Sequence, residues 1–227
     1  MIVDKMRTSS DTTGSRLAWS EATGDYVIEC RRHRYWKMEP DCIFSKRNLE
    51  LRLYKSGETC AVAEFVEWRS GGASLLDEFV DEADMDSQAD YDMAIVMHGS
   101  WRWHEAPFDY GTVVRFERLA IDTRRDAGRL AWALIQAAIT REFGRRGALM
   151  LLKAFPLEYE GEVTPHRRPF FERRVRAMLR LYSRTLSAKP LPNEWGADGW
   201  MWRPLRYCPP PVSPKPKRRA RPKLSHP

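Results

Sequence analysis

No stretch of the 227-residue sequence approaches the roughly 18 apolar residues that a membrane-spanning helix needs, so a membrane protein is not expected. Nor does a secretory signal open the chain, which points to a cytoplasmic location. Cysteine is scarce: Cys30, Cys42, Cys60 and Cys208 form no CxxC pair and no zinc spacing. That excludes a disulfide framework and a thiolate metal centre, leaving reduced thiols that serve as packing residues and no metal. Acids are absent from the last 24 residues, which hold seven bases (Arg206, Lys215, Lys217, Arg218, Arg219, Arg221, Lys223) and eight of the fifteen prolines. Such a stretch cannot build a packed element, so 204–227 reads as a disordered basic tail.

The formal net charge is +7, and removing the tail leaves residues 1–203 formally neutral. The charge excess therefore describes the tail, where 215–223 (KPKRRARPK) would suit a salt-sensitive nucleic-acid tether, a localisation signal or a solubilising end. Ahead of it, 43% hydrophobic and 30% charged residues with nine Trp, nine Phe and eight Tyr are the composition of one globular domain with a substantial core. Residues 1–15 read as a loose lead-in and 16–203 as that domain.

Tyr26 to Glu29 reads as a first strand. Leu49–Tyr54 and Cys60–Trp68 alternate around the turn at Ser56-Gly57, a hairpin signature. The period then changes: Leu75, Leu76, Phe79, Val80 and Ala83 share a helical face, and Ser87 with Asp90 three residues on caps a second helix. Eight acids and no base lie between Asp77 and Asp92. The calcium-loop reading of Asp84, Asp86, Gln88 and Asp90 fails for want of the glycine and the terminal Glu. A solvated helical face is expected instead, one that would attract a cationic substrate or dock the basic tail.

The second half reads strand (Gly111–Ile121), helix (Ala127–Phe143), strand (Ala148–Phe155), helix (Phe170–Thr185), strand (Gly199–Arg203), which implies a mixed α/β layer. His98, His104 and His166 lack a paired nucleophile or ligand set and read as structural or solvent-facing. The loop 161–169 reads as a connection or as a border of an acceptor site.

Leu119-Ala-Ile-Asp-Thr-Arg-Arg-Asp-Ala-Gly-Arg-Leu-Ala131 resembles the GNAT N-acetyltransferase signature, in which an L-x-V-x-P strand leads to R/Q-x-x-G-x-G/A and a helix. Asp126 stands where Arg or Gln is usual, Arg129 where the first Gly is usual, and Gly128 is shifted by one. Leu179-Arg-Leu-Tyr182 and the turn after it resemble the superfamily's late segment, with Ser187 in place of the glycine. The family's first strand is usually followed by two helices, whereas here a hairpin precedes them.

The resemblance implies a central mixed, mostly antiparallel sheet flanked by helices, and acetyl-CoA-dependent transfer of an acetyl group to an amine-bearing acceptor. It assigns Leu119, Ala120 and Ile121 to the pantetheine arm. Arg124, Arg125, Ala127, Gly128, Arg129, Leu130 and Ala131 go to the pyrophosphate end. Independently of family, a helix N-terminus offers unpaired amides to phosphates. Tyr182 is implied as the acid that protonates the leaving thiolate. Glu117, taken to share strand parity with Leu119 and Ile121, is the candidate base, with a water chain as substitute. Two alternatives stay open: a GNAT-like binding module without catalysis, and a nucleic-acid-associated protein. A second copy of the chain is a further partner left open.

Overall fold

Leu149, Met150, Leu151 and Leu152 are apolar without alternation, the pattern of a strand covered on both faces. In the computed structural model, which describes residues 15–72, 76–102, 106–122, 128–156 and 164–212, this segment lies inside an eight-stranded sheet. The strands are β1 (Arg16–Thr23), β2 (Tyr26–Arg32), β3 (Phe44–Lys55), β4 (Glu58–Ser70), β5 (Thr112–Ile121), β6 (Gly147–Lys153), β7 (Lys189–Pro190) and β8 (Trp200–Pro204). Their order is β1-β2-β3-β4-β5-β6-β8-β7. Neighbours are antiparallel except β5 and β6, which are parallel. A parallel pair needs a crossover, and α3 (Gly128–Phe143) supplies it. The other helices are α1 (Leu76–Asp84), α2 (Gln88–Ser100), α4 (Arg168–Thr185) and the single turn α5 (Glu194–Ala197). This is a mixed α/β fold with a mostly antiparallel open sheet.

Alternation along the central strands divides the core in two. Val114, Phe116, Met150 and Leu152 join Ala131, Ile135 and Phe143 of α3 and Tyr182 of α4. Val113, Leu149 and Leu151 join Leu76 and Phe79 of α1 and Met93 and Met97 of α2. On that second face Phe79 packs against Phe44, Phe108 and Trp68 with ring centroids 4.8–5.2 Å apart, tilted or edge-on as the ring quadrupoles prefer. Ser87 caps α2, accepting from the Asp90 amide, as the sequence predicts. All four cysteines are free and buried.

Three features differ from expectation. β1 pairs with β2 along the sheet edge where no strand is predicted. Residues 204–212 are not a loose tail. Cys208 is buried, Trp101 Nε1 donates to the Pro209 carbonyl at 2.8 Å, and the Val212 amide donates to Ser100 O at 2.7 Å. The body thus continues past Pro204, while 213–227 and 1–14 lie outside the described residues. The acids around α1 and α2 do not form one solvated face either. Glu82 accepts the Ile43 and Phe44 amides at 2.6 and 2.9 Å, and Asp90 is fully buried. No group of three or more His, Cys, Asp or Glu that would hold a metal ion occurs among the described residues. No described helix is long and apolar enough to cross a membrane.

The entry to β5 is sterically tight. Gly111 has φ +150°, and a Cβ there would meet the Arg146 carbonyl oxygen at 2.3 Å, the same oxygen that accepts the Thr112 amide at 2.9 Å. Gly111→Ala is therefore expected to cost about 3 kcal/mol, read as a lower urea midpoint at unchanged m-value.

Candidate functional site

β5 and β6 part company halfway along β5. Their parallel ladder runs from Thr112/Gly147 to Phe116/Leu152, whereas β5 stays paired with β4 as far as Ile121/Ala61. From Glu117 to Ile121 the β6 side of the strand has no strand partner among the described residues. The Asp122 amide donates toward β4, to Cys60 O at 2.9 Å. Strand alternation then turns the peptide groups of Ile121 and Leu119 the other way, toward the opening. Leu119, Ala120 and Ile121 are half-buried, so these peptide groups remain within reach of an extended partner.

Tyr182 sits where the two strands separate. α4 is amphipathic, and its Met178, Leu179 and Tyr182 pack on the core over this point. The Tyr182 ring meets Phe116, the last paired residue of β5, edge-on at 5.9 Å and Trp132 of α3 at 6.2 Å. Burial pushes its phenol up to about 12, so the hydroxyl keeps its proton throughout the neutral range.

Glu117 is placed differently from its predicted parity. The β4–β5 register passes from Glu64/Arg118 to Phe65/Phe116, leaving Glu117 as an unpaired bulge residue. The extra residue reverses the alternation: Leu119 and Ile121 pack on the α3–α4 side, while Glu117 turns to the α1–α2 side. There it is 2.5 Å from Arg115, whose guanidinium also reaches Asp90 of α2 at 3.0 Å. Glu117 and Tyr182 thus lie on opposite faces of the sheet, and the shared parity of Glu117 with Leu119 and Ile121 is corrected. Partial burial raises the Glu117 carboxyl, Arg115 opposes the rise, and Asp90 and Glu64 add to it.

Asp90 anchors the surroundings of Glu117. It accepts from Trp68 Nε1 and Lys46 Nζ at 3.0 Å each and from Ser87 Oγ at 2.9 Å, besides Arg115. Lys46 also pairs with Asp86. A buried carboxylate held by this many donors fixes the orientation of Arg115, and through it that of Glu117. Sequence reasoning missed this role; the one local signal was the serine cap three residues before Asp90.

Of the residues predicted for the pyrophosphate end, Arg124, Arg125 and Ala127 lie outside the described residues, as does Asp126. Gly128 opens α3, followed by Arg129. Leu130 is 43% exposed at the first turn, whereas Ala131 is buried in the core beneath it. His98 forms an exposed pair with Asp77 at 2.7 Å, and His166 is an exposed turn residue. His104 lies outside the described residues, as do 161–163 of the loop 161–169.

A cleft of about 770 Å³ opens beside the point where Tyr182 sits. Lys153 and Phe155, just past the end of the β5–β6 ladder, line it, as does Leu179, one helical turn before Tyr182. Tyr91 and Ile95 of α2, Phe171 and Val175 of α4, and Trp195 and Trp200 supply aromatic and aliphatic walls. Asp92, Glu172 and Asp198 line it together with Lys153, Arg168 and Arg176, so the rim carries both signs. Apolar walls with a few charged groups are a lining that a small ligand could use. Trp195 and Trp200 carried no site signal in the sequence, because a tryptophan beside a turn reads equally well as core.

No protein-family model matches the chain, and no curated protein or solved structure is similar enough to match it.

Proposed function

We propose that the chain is an acetyl-CoA-dependent N-acetyltransferase of GNAT type that acts on an amine. The observation carrying this reading is the departure of β5 from β6 after Phe116, with Tyr182 packed at the fork. The outward-turned peptide groups of Leu119 and Ile121 fit an amide-bearing arm laid along β5 as an added strand. The remaining cofactor contacts assigned from the resemblance fall at and before the start of α3. Crossover helix, parallel pair and late tyrosine helix occur in the order that the resemblance calls for.

Acetyl-CoA would supply a thioester whose acetyl group is passed on. The chain's own residues would then divide the proton work between two faces. Tyr182 holds a proton at its hydroxyl on the α4 side, available to a departing thiolate. Glu117, on the α2 side and raised by its surroundings, is positioned to take the proton of an amine as that amine attacks. An ammonium of pKa about 10.4 must lose a proton to attack, so a base on the acceptor's side is required. The neighbouring cleft gives the acceptor apolar walls.

Acetyl-CoA is expected to raise the melting temperature by several degrees at saturating concentration, since a ligand that binds only the folded state stabilises it by about 2.7 kcal/mol at 100 times its Kd. An unchanged melting temperature in millimolar acetyl-CoA would remove the reading.

A further inference from the structure

We propose that the outward face of α4 binds the backbone of a single-stranded nucleic acid. This is independent of whether the chain acetylates an amine. The helix carries six arginines and one glutamate, a net +5 on 18 residues, within a body that is formally neutral over 1–203. Arg173, Arg176, Arg180 and Arg184 follow one another at spacings of three, four and four residues, which places them on one stripe. Met178, Leu179 and Tyr182 on the opposite side pack into the core, so the stripe faces outward, with Arg176 also at the rim of the cleft, and all four arginines are exposed.

These four arginines differ from four that brace the sheet. Arg32, Arg47, Arg115 and Arg146 each meet a buried carboxylate. Among the described residues, Arg173, Arg176, Arg180 and Arg184 meet none; Glu172 is engaged with Arg168 at 3.5 Å and lines the cleft. Like charges three and four residues apart repel, a small standing cost to the helix that a polyanion would relieve.

The arrangement is linear. Four guanidinium groups span twelve residues, about 16 Å of helix, a line of charge that matches a phosphodiester chain better than a broad anionic surface. Guanidinium also grips phosphate oxygens two at a time, which an ammonium cannot do. Beside the row, Phe170 is 52% exposed and the Arg173 guanidinium lies 5.6 Å from its ring centroid. An exposed aromatic next to a basic row is a platform on which an unpaired base can stack, and this selects a single strand over a duplex or a lipid surface.

The test is fluorescence anisotropy of the full chain with a labelled single strand of about 20 nucleotides, titrated between about 50 and 200 mM salt. Replacing Arg173, Arg176, Arg180 and Arg184 together by Gln should flatten the slope of log K against log salt by about 3, since each phosphate contact contributes about 0.7 for a single strand. The matching Lys variant should keep the slope. Phe170→Ala should weaken binding about tenfold at unchanged slope and should not weaken duplex binding. These positions are exposed, so melting temperatures should match the parent. If the fourfold variant does not fold, Arg176→Gln with Arg180→Gln should flatten the slope by about 1.4. An unchanged slope in the Gln variants overturns the proposal. So does loss of all binding on deleting residues 213–227, or equally strong binding to phosphatidylserine vesicles.

Discussion

Glu67→Gln is expected to lower stability by about 3–5 kcal/mol, a fall in melting temperature of about 10 °C or more, measurable by calorimetry. Glu67 is fully buried on β4. It accepts from Arg47 Nε and Arg146 Nε at 2.7 Å each and from Thr112 Oγ1 at 2.8 Å. Nearby, buried Glu142 of α3 accepts from Trp19 Nε1 at 2.9 Å and pairs with Arg32 and Arg146. The amide in place of Glu67 would leave Arg47 and Arg146 short of counter-charge and point new donors at existing ones, the costly way to break a buried pair. Arg168→Gln, which breaks only an exposed pair, should leave the melting temperature unchanged within error.

The same two carboxylates set an acid limit. Burial alone would raise both. Arg146 and Arg47 around Glu67, and Arg32 and Arg146 around Glu142, outweigh burial and hold both below their ordinary 4.5. Between the lowered folded value and 4.5, the unfolded chain binds more protons, so stability rises with pH in that window. Their contribution is whole above pH 4.5 and drains away as the pH falls through the folded values. The parent protein should therefore lose melting temperature steeply below pH 4.5, and Glu67→Gln should show a shallower acid slope from its lower starting point.

Tyr182→Phe is expected to lower turnover about 100- to 1000-fold while leaving KM for acetyl-CoA and the melting temperature nearly unchanged. Phenylalanine keeps the edge-on packing against Phe116 and Trp132 and removes only the hydroxyl. The measurement is thiol release from acetyl-CoA with a panel of amines. Because burial pushes the phenol up to about 12, any acetyl transfer by the parent protein should show no alkaline limb from Tyr182 near neutrality. Equal turnover in the two proteins would mean that the thiolate leaves to water and that Tyr182 is a core residue.

The second half of the chain was the legible half. The unbroken apolar run of β6 and the 3.6-residue period of α4 each have one physical solution, and the two elements begin one and two residues before their predicted starts. β1 was not legible: an edge strand with one partner needs little apolar character, and Leu17 is 55% exposed on it. Composition misled for Asp90, because an acid-rich segment reads as solvated until its three-dimensional partners Lys46, Arg115 and Trp68 are known. The burial of Tyr182 was legible from its helical face. The face of Glu117 was not, since one bulged residue reverses every side chain on one side of it and leaves no local mark in composition.

The parallel pairing of β5 with β6 also bears on how the chain is made. Residues 15–72 form a meander of local hairpins that can assemble as soon as they are synthesised. β5 is apolar toward both layers, yet its partner β6 begins 26 residues after β5 ends, beyond the whole of α3. Until that crossover closes, β5 presents an uncovered edge with greasy sides to any other chain that reaches it. Aggregation during refolding should therefore track the rate at which α3 docks, and variants that loosen α3 should lose yield before they lose equilibrium stability.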